Sequence, residues 1–243
     1  MNVRSHLFGR RTATDPHFRW RGGEVSRIEG LSDAIFAFAL TLLVVSLEVP
    51  RDFDELQRVL RGFPVFAICF ALTVMVWWYH YRFFRRYGLE DFLTVVLNLA
   101  LLFAVLFYVY PLRFLFGFLL NPLVGLERGE MAQGEVRWLM LFYSGGMIVV
   151  FGLFAALLFN ALRQREALEL DELELFHTWT SIGAHAIMIG LGLASCAIAL
   201  AGESYAPYAG LIYFATGPLE GVWGWRRGAR ADALYRRLTS EPG

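Results

Sequence analysis

The sequence predicts an all-α polytopic membrane protein with six transmembrane helices, and three observations carry that reading. Of its 243 residues 57% are apolar and only 18% charged, whereas charged residues make up about 25% of an ordinary globular domain. The apolar residues gather into six blocks of roughly 20, each long enough to cross ~30 Å of hydrocarbon at ~1.5 Å per residue. The 22 basic residues, every one an arginine, stand mainly at the ends of those blocks. This composition excludes a soluble enzyme, a nucleic-acid binder and a disordered tail protein, and makes the lipid bilayer the first partner.

Residues 1–26 carry Arg4, Arg10, Arg11, Arg19 and Arg21 without an apolar core, so they read as a basic cytosolic arm rather than a signal peptide or a span. The first span runs from about Arg27 to Val49 and is stopped by Pro50. The mixed segment RDFDELQRVLR, residues 51–61, is predicted as a short interfacial helix. Span two covers about Phe63 to Phe84. A tight turn holding Arg85, Arg86 and Gly88 leads into span three, about Asp91 to Leu112, with Pro111 near its outer end and an irregular exit through Asn121, Pro122, Gly125 and Gly129. Span four covers about Val136 to Leu162 and carries Gly145, Gly146 and Gly152, small residues that let membrane helices approach closely. The acidic stretch RQREALELDELEL follows at the surface. Spans five (about Thr178 to Ala201) and six (about Ala206 to Trp225) complete one bundle over 27–225, and Arg226, Arg227, Arg230, Arg236 and Arg237 mark 226–243 as a basic, solvated tail. Cys69 and Cys196 both lie in apolar blocks, where a thiol acts as a small apolar filler.

Cytosolic loops of membrane proteins retain positive charge. Sixteen arginines fall on the side of the two termini and six on the other. Both termini are therefore predicted to be cytosolic, in a multi-pass protein of the inner cell membrane.

An ionisable group at membrane depth costs several kcal/mol and needs a named partner. The first span concentrates such residues: Arg27, Glu29, Ser32, Asp33 and Thr41. At ~100° per residue, Ala34, Phe38, Thr41 and Val45 form one stripe, Asp33 sits ~100° away from it, and Glu29 shares the face of Asp33. Counted from the cytosolic ends, Asp33 lies ~9 Å above Arg27, His80 ~3 Å above Arg82 and Asn98 ~10 Å above Asp91. Trp77, His185 and Glu220 fall in the same inner third. A polar layer just inside the cytosolic face is expected, either fixing helix registry or forming a proton relay or ion site. The spacing of His177 and His185 places them at different heights, which argues against a metal site.

The segment RIEGLSDAIFAFALTLL resembles the first-helix signature of the TMEM175 family of potassium channels through Arg27, Ser32, Asp33, Thr41, Leu42 and Leu43, with Leu31 where the family has Phe. WWYHYRFFRR is similar to the family's Trp-x-x-His-x-Arg pattern through Trp77, His80 and Arg82, and Asn98 with the Pro111 exit is similar to its third helix. The likeness covers residues 27 to 115. It implies six helices per chain, a homotetramer, and a central pore lined by the first helix of each subunit, with no carbonyl filter of the TVGYG type. Carried onto this sequence, the pore lining is Ala34, Phe38, Thr41 and Val45. Phe38 is the apolar constriction, where the family usually has Ile or Leu, and Thr41 supplies the selectivity hydroxyl. Arg27, Ser32, Asp33, Trp77, His80 and Asn98 form the polar network behind the first helix. Potassium is the permeant ion, and neither cofactor nor metal is implied.

The expected function is a potassium-preferring cation channel with no catalytic chemistry. The competing readings are a proton-coupled transporter or membrane enzyme built on Asp33, Glu29 and His80, and a non-conducting scaffold.

Overall fold

A computed structural model of the chain describes residues 11–12, 15–45, 49–120 and 132–240. An antiparallel pair, β1 (Arg11–Thr12) and β2 (Asp15–Arg19), precedes α1 (Arg27–Val45), α2 (Phe53–Arg61), α3 (Phe63–Tyr87) and α4 (Phe92–Leu119). Then come α5 (Gln133–Arg163), α6 (Glu172–Ala201), α7 (Ala206–Ala209), a 3₁₀ turn (Gly210–Ala215) and α8 (Thr216–Ser240). Five helices among the described residues, α1, α3, α4, α5 and α6, are long and apolar enough to cross a membrane.

Local chemistry sets the helix ends. At the start of α1 the Ser26 N–H donates to the Glu29 carboxylate (2.9 Å) while the Glu29 N–H donates to Ser26 Oγ (3.2 Å), a reciprocal capping box. Asp171 and Glu174 repeat the device at α6. α3 stops at Gly88, whose φ of 59° is left-handed and whose N–H returns to Phe84 O. A side chain there would also come within 3.1 Å of the Arg21 backbone, so this corner requires glycine twice over.

Asp91 then caps α4, accepting from the Thr94 N–H and hydroxyl, and also from Asn160 of α5 and from Gln164, which caps the end of α5. Desolvation opposes its ionisation, but the hydrogen bonds from Thr94, Gln164 and Asn160 outweigh that effect and hold its pKa down at about 2.

The main core joins Phe36, Ala39 and Leu43 of α1 to α3, α4 and α5. A second cluster, with Leu115, Leu139, Met140, Ala199 and Ala209, fills the opposite end. α5 and α6 pack closely where Gly192 of α6 faces Ile148 and the Ser144 carbonyl; of the span-four glycines, Gly146 faces the Tyr108 ring of α4, while Gly145 and Gly152 face open space.

Several boundaries differ from the sequence-based ones. α4 runs through Pro111 to Leu119, because one missing N–H does not stop a helix packed along its length against α5, whose Tyr143 hydroxyl donates to the Pro111 carbonyl. The irregular exit, residues 121–131, lies outside the described residues. The predicted sixth span is helical but broken: α7 and the 3₁₀ turn lead into α8, with Pro207 in the first turn of α7. α8 carries on to Ser240, so the basic tail begins as helix, and Arg227 lies 3.7 Å from the centre of the Phe176 ring and donates to Thr180 Oγ.

The described part of the amino-terminal arm is bound to the bundle. Phe18 is fully buried against Tyr87. Asp15 takes a two-pronged bond from Arg86 (2.7 and 3.0 Å), and Arg19 and Arg21 converge on the buried carboxylate of Glu174.

Candidate functional site

α1 has two unlike sides. Glu29, Ser32, Phe36, Ala39 and Leu43 recur at spacings of three and four and are all buried. Two positions further on, about 200° round the helix, Ala34, Phe38, Thr41 and Val45 are all exposed, Phe38 at 56% and Val45 at 71%. α1 is apolar on both sides, so hydrophobicity alone could not distinguish them, while the polar residues at 29 and 32 mark the inward one.

The buried side is tied to α3 and α4 by a chain of hydrogen bonds. Ser32 Oγ donates its single hydrogen to Ile28 O (2.7 Å) and accepts from Asn98 Nδ2 (3.0 Å), and Asn98 Oδ1 meets His80 Nε2 at 2.8 Å. With the Ser32 hydrogen committed, each donor has one acceptor, which places a hydrogen on His80 Nε2. All three side chains are at most 2% exposed. The apolar rings of Phe36 and Phe84 lie against the imidazole.

Asp33 stands beside this chain rather than in it, accepting from Trp77 Nε1 at 2.9 Å. Trp77 in turn stacks on Tyr81, over which the Arg85 guanidinium lies. Glu29 completes the capping box and pairs with Arg85 at 3.3 Å. Arg27 is exposed at the helix start, with no hydrogen bond or ion pair among the described residues. Of the six residues expected in one network, the structure therefore joins Ser32, His80 and Asn98, joins Asp33 and Trp77 separately, and leaves Arg27 outside both. His185 and Glu220 belong elsewhere, lining a cavity of about 260 Å³ with Tyr79, Arg82, His177 and Trp223 between α3, α6 and α8.

Sequence reasoning missed the strap that fixes the entry to α1. Arg21 and Gly22 donate their N–H groups to Arg85 O (both 3.1 Å), and Arg85 Nη1 donates to Gly23 O (3.0 Å). Beyond it, Arg21 bonds Leu168 O and Glu174. The Ser-x-x-Glu at 26–29 and the Asp-x-x-Glu at 171–174 signal their caps in the sequence. Nothing local announces that Arg19 and Arg21 meet a carboxylate about 150 residues away.

On the exposed side the chemistry is sparse. Thr41 is the only polar side chain between Phe38 and Val45, and its hydroxyl donates to Ala37 O in its own helix (2.9 Å), so that toward the exposed side its oxygen can act only as an acceptor. Among the described residues no group of three or more His, Cys, Asp or Glu is placed to hold a metal ion.

The family described as "Endosomal/lysosomal potassium channel TMEM175" matches residues 27–108. A potassium channel of Marivirga tractuosa is 39% identical over 195 residues, covering 76% of this chain and 79% of that protein. One of Chamaesiphon minutus is 31% identical over 107 residues, 41% of this chain and 53% of its own. Among solved structures, a threonine-to-alanine variant of the potassium channel MtTMEM175, complexed with a nanobody–MBP fusion, superimposes with a TM-score of 0.78 at 36% identity, covering 88% of this chain and 98% of that one. The lysosomal potassium-selective channel homologue from Chamaesiphon minutus shares the fold, with a TM-score of 0.54 at 22% identity over 84% of this chain and 98% of its own.

Proposed function

The chain belongs to the TMEM175 family of potassium channels, and from that membership we propose that it is a potassium channel whose path is lined by α1 of several copies. The observation that carries the pore assignment is the exposed stripe of Ala34, Phe38, Thr41 and Val45 on a helix whose other side is locked to its own bundle. A single chain contributes one such helix, so an enclosed path needs copies, and we assign a homotetramer in the inner membrane with both termini cytosolic. Phe38 is the constriction: rings closing on the axis exclude water from a narrow apolar stretch and gate by dewetting. Thr41, one turn outward, offers an oxygen whose hydrogen is already committed to Ala37 O, and so replaces part of the hydration shell of a dehydrating potassium ion.

The transporter reading finds no support in the polar layer. The His80–Asn98–Ser32 chain ends on a backbone carbonyl, Ile28 O, with no further acceptor. The Glu29 charge is offset by Arg85. We assign the layer the role of holding α1 in register.

Potassium-gradient-driven flux in liposomes tests the channel. Phe38→Ala is expected to raise it several-fold. Flux that requires a pH gradient, or that ignores Phe38→Ala, overturns the pore assignment, and a stable tetramer without flux returns the scaffold reading.

A further inference from the structure

α2 presents a face that nothing in the described fold covers. At ~100° per residue Phe53, Leu56 and Leu60 fall within an arc of about 60°, and Phe63 opens α3 directly after the cap at Gly62. All four are exposed, Phe53 at 69% and Leu60 at 59%. Asp54, Gln57, Arg58 and Arg61 stand on the other side. Nine residues span only ~13 Å, too short to cross a bilayer.

Two features say what occupies the stripe. In sequence α2 lies between two membrane-spanning helices, α1 and α3, and α3 begins at Phe63 directly after Gly62, so α2 is held at the bilayer surface. The stripe is also continuous with the outside of α3: the rings of Phe63, Phe66 and Phe70 follow one another at 5.9 and 6.0 Å, with Phe63 and Phe70 exposed. The apolar surface therefore runs unbroken from α2 onto a helix that must itself lie in hydrocarbon. α2 holds two acids and two arginines, so electrostatic attraction is not what would seat it.

We infer that α2 lies in the interface of the leaflet opposite the amino terminus, with Phe53, Leu56 and Leu60 among the acyl chains and Arg58 and Arg61 among the headgroups. Its partner is the lipid surface rather than a second copy of the chain. α2 then ties the start of α3 to the bilayer surface.

The test uses the full chain with Cys69→Ala and Cys196→Ala, in nanodiscs of phosphatidylethanolamine and phosphatidylglycerol, carrying a nitroxide at Leu60→Cys or Arg58→Cys. The Leu60 label should collide several-fold more with oxygen than with a water-soluble nickel chelate, and the Arg58 label should show the reverse. Replacing the lipid by phosphatidylcholine should leave both unchanged, because the helix charge is balanced. Nickel access at Leu60 equal to that at Arg58 overturns the proposal in favour of a solvated helix, and shielding of Leu60 from both reagents assigns the face to a second copy. Phe53→Cys carries the same expectations if Leu60→Cys fails to fold.

Discussion

The inner and outer halves of α1 are built on different principles. Between Ser26 and Asp33 three polar side chains are fastened to other helices: the buried Glu29 to Arg85 and Ser32 to Asn98, and the exposed Asp33 to Trp77. From Phe38 to Val45 there is a single polar side chain, and it bonds to its own helix. Hydrogen bonds are directional and leave the inner half one register, whereas dispersion contacts tolerate sliding and rotation. Directional bonds thus fix where α1 starts and which way it faces, while its outer half is held to the bundle by the apolar packing of Ala39 and Leu43.

The largest way to break this contrast is to remove its central residue. Asn98→Ala leaves the His80 Nε2 hydrogen without an acceptor and takes from Ser32 Oγ the bond it accepts, while its bond to Ile28 O remains, all in a buried site. Each unsatisfied buried group costs roughly 1–3 kcal/mol, and intramembrane hydrogen bonds average ~0.6 kcal/mol, so a net loss of about 2 kcal/mol is expected. It would be read as a fall of several degrees in the thermal midpoint of the detergent-solubilised protein. An unchanged midpoint means that the inner half is no more fixed than the outer.

A smaller effect is expected from the strap. Glu174→Gln keeps the side-chain shape but removes the charge on which Arg19 and Arg21 converge. Hydrogen bonds to charged groups contribute about 1.5–3 kcal/mol when buried, and the partial exposure of Arg19 lowers that figure. Trypsin should then cut after Arg19 and Arg21 several-fold faster, with the bundle itself intact. Cleavage at the native rate would show that Phe18 and the Asp15–Arg86 pair hold the strap without Glu174.

These two sites also separate what the sequence made legible from what it did not. Five of the six expected spans, the α1 stripe and the common layer of His80 and Asn98 followed from apolar length, helical periodicity and equal depth, because a membrane restricts helices to few orientations and so turns sequence position into height. Ser32 entered that layer only through the family resemblance, and depth alone pointed to Asp33. The arm escaped that logic. Asp15, Arg19 and Arg21 lie outside the bilayer, where no depth rule applies, and an arginine-rich segment reads the same whether solvated or paired. The sixth span was overcounted as one regular helix because apolar content predicts burial in lipid, not continuity, and the segment breaks into α7, a 3₁₀ turn and α8.

Asp91 tests the inner half from a third direction, through pH. Its folded pKa of about 2 lies below the ordinary ~3.9 of an aspartate. The stabilisation from that difference is therefore complete above about pH 4 and is lost as pH falls toward 2. Because the carboxylate is partly exposed, the effect should be small. In Asp91→Asn the thermal midpoint should fall less steeply between pH 4 and pH 2 than in the wild type. Parallel curves would show that the α3–α4 corner does not depend on this carboxylate.

Thr41→Val should change stability least and says most about the outer half. Valine matches threonine in shape and replaces the hydroxyl by a methyl, so the only bond lost is the one to Ala37 O, inside the same helix. Such intrahelical bonds compete with the backbone ladder rather than add to it, and a surface substitution of this kind usually lies within about 0.5 kcal/mol. The thermal midpoint should therefore stay at the wild-type value while the preference for potassium over sodium, measured by paired flux in liposomes, declines. A variant as destabilised as Asn98→Ala would show that Thr41 supports the fold. Unchanged preference at unchanged stability would leave Thr41 as part of an apolar wall and move discrimination to Phe38, the proposed constriction.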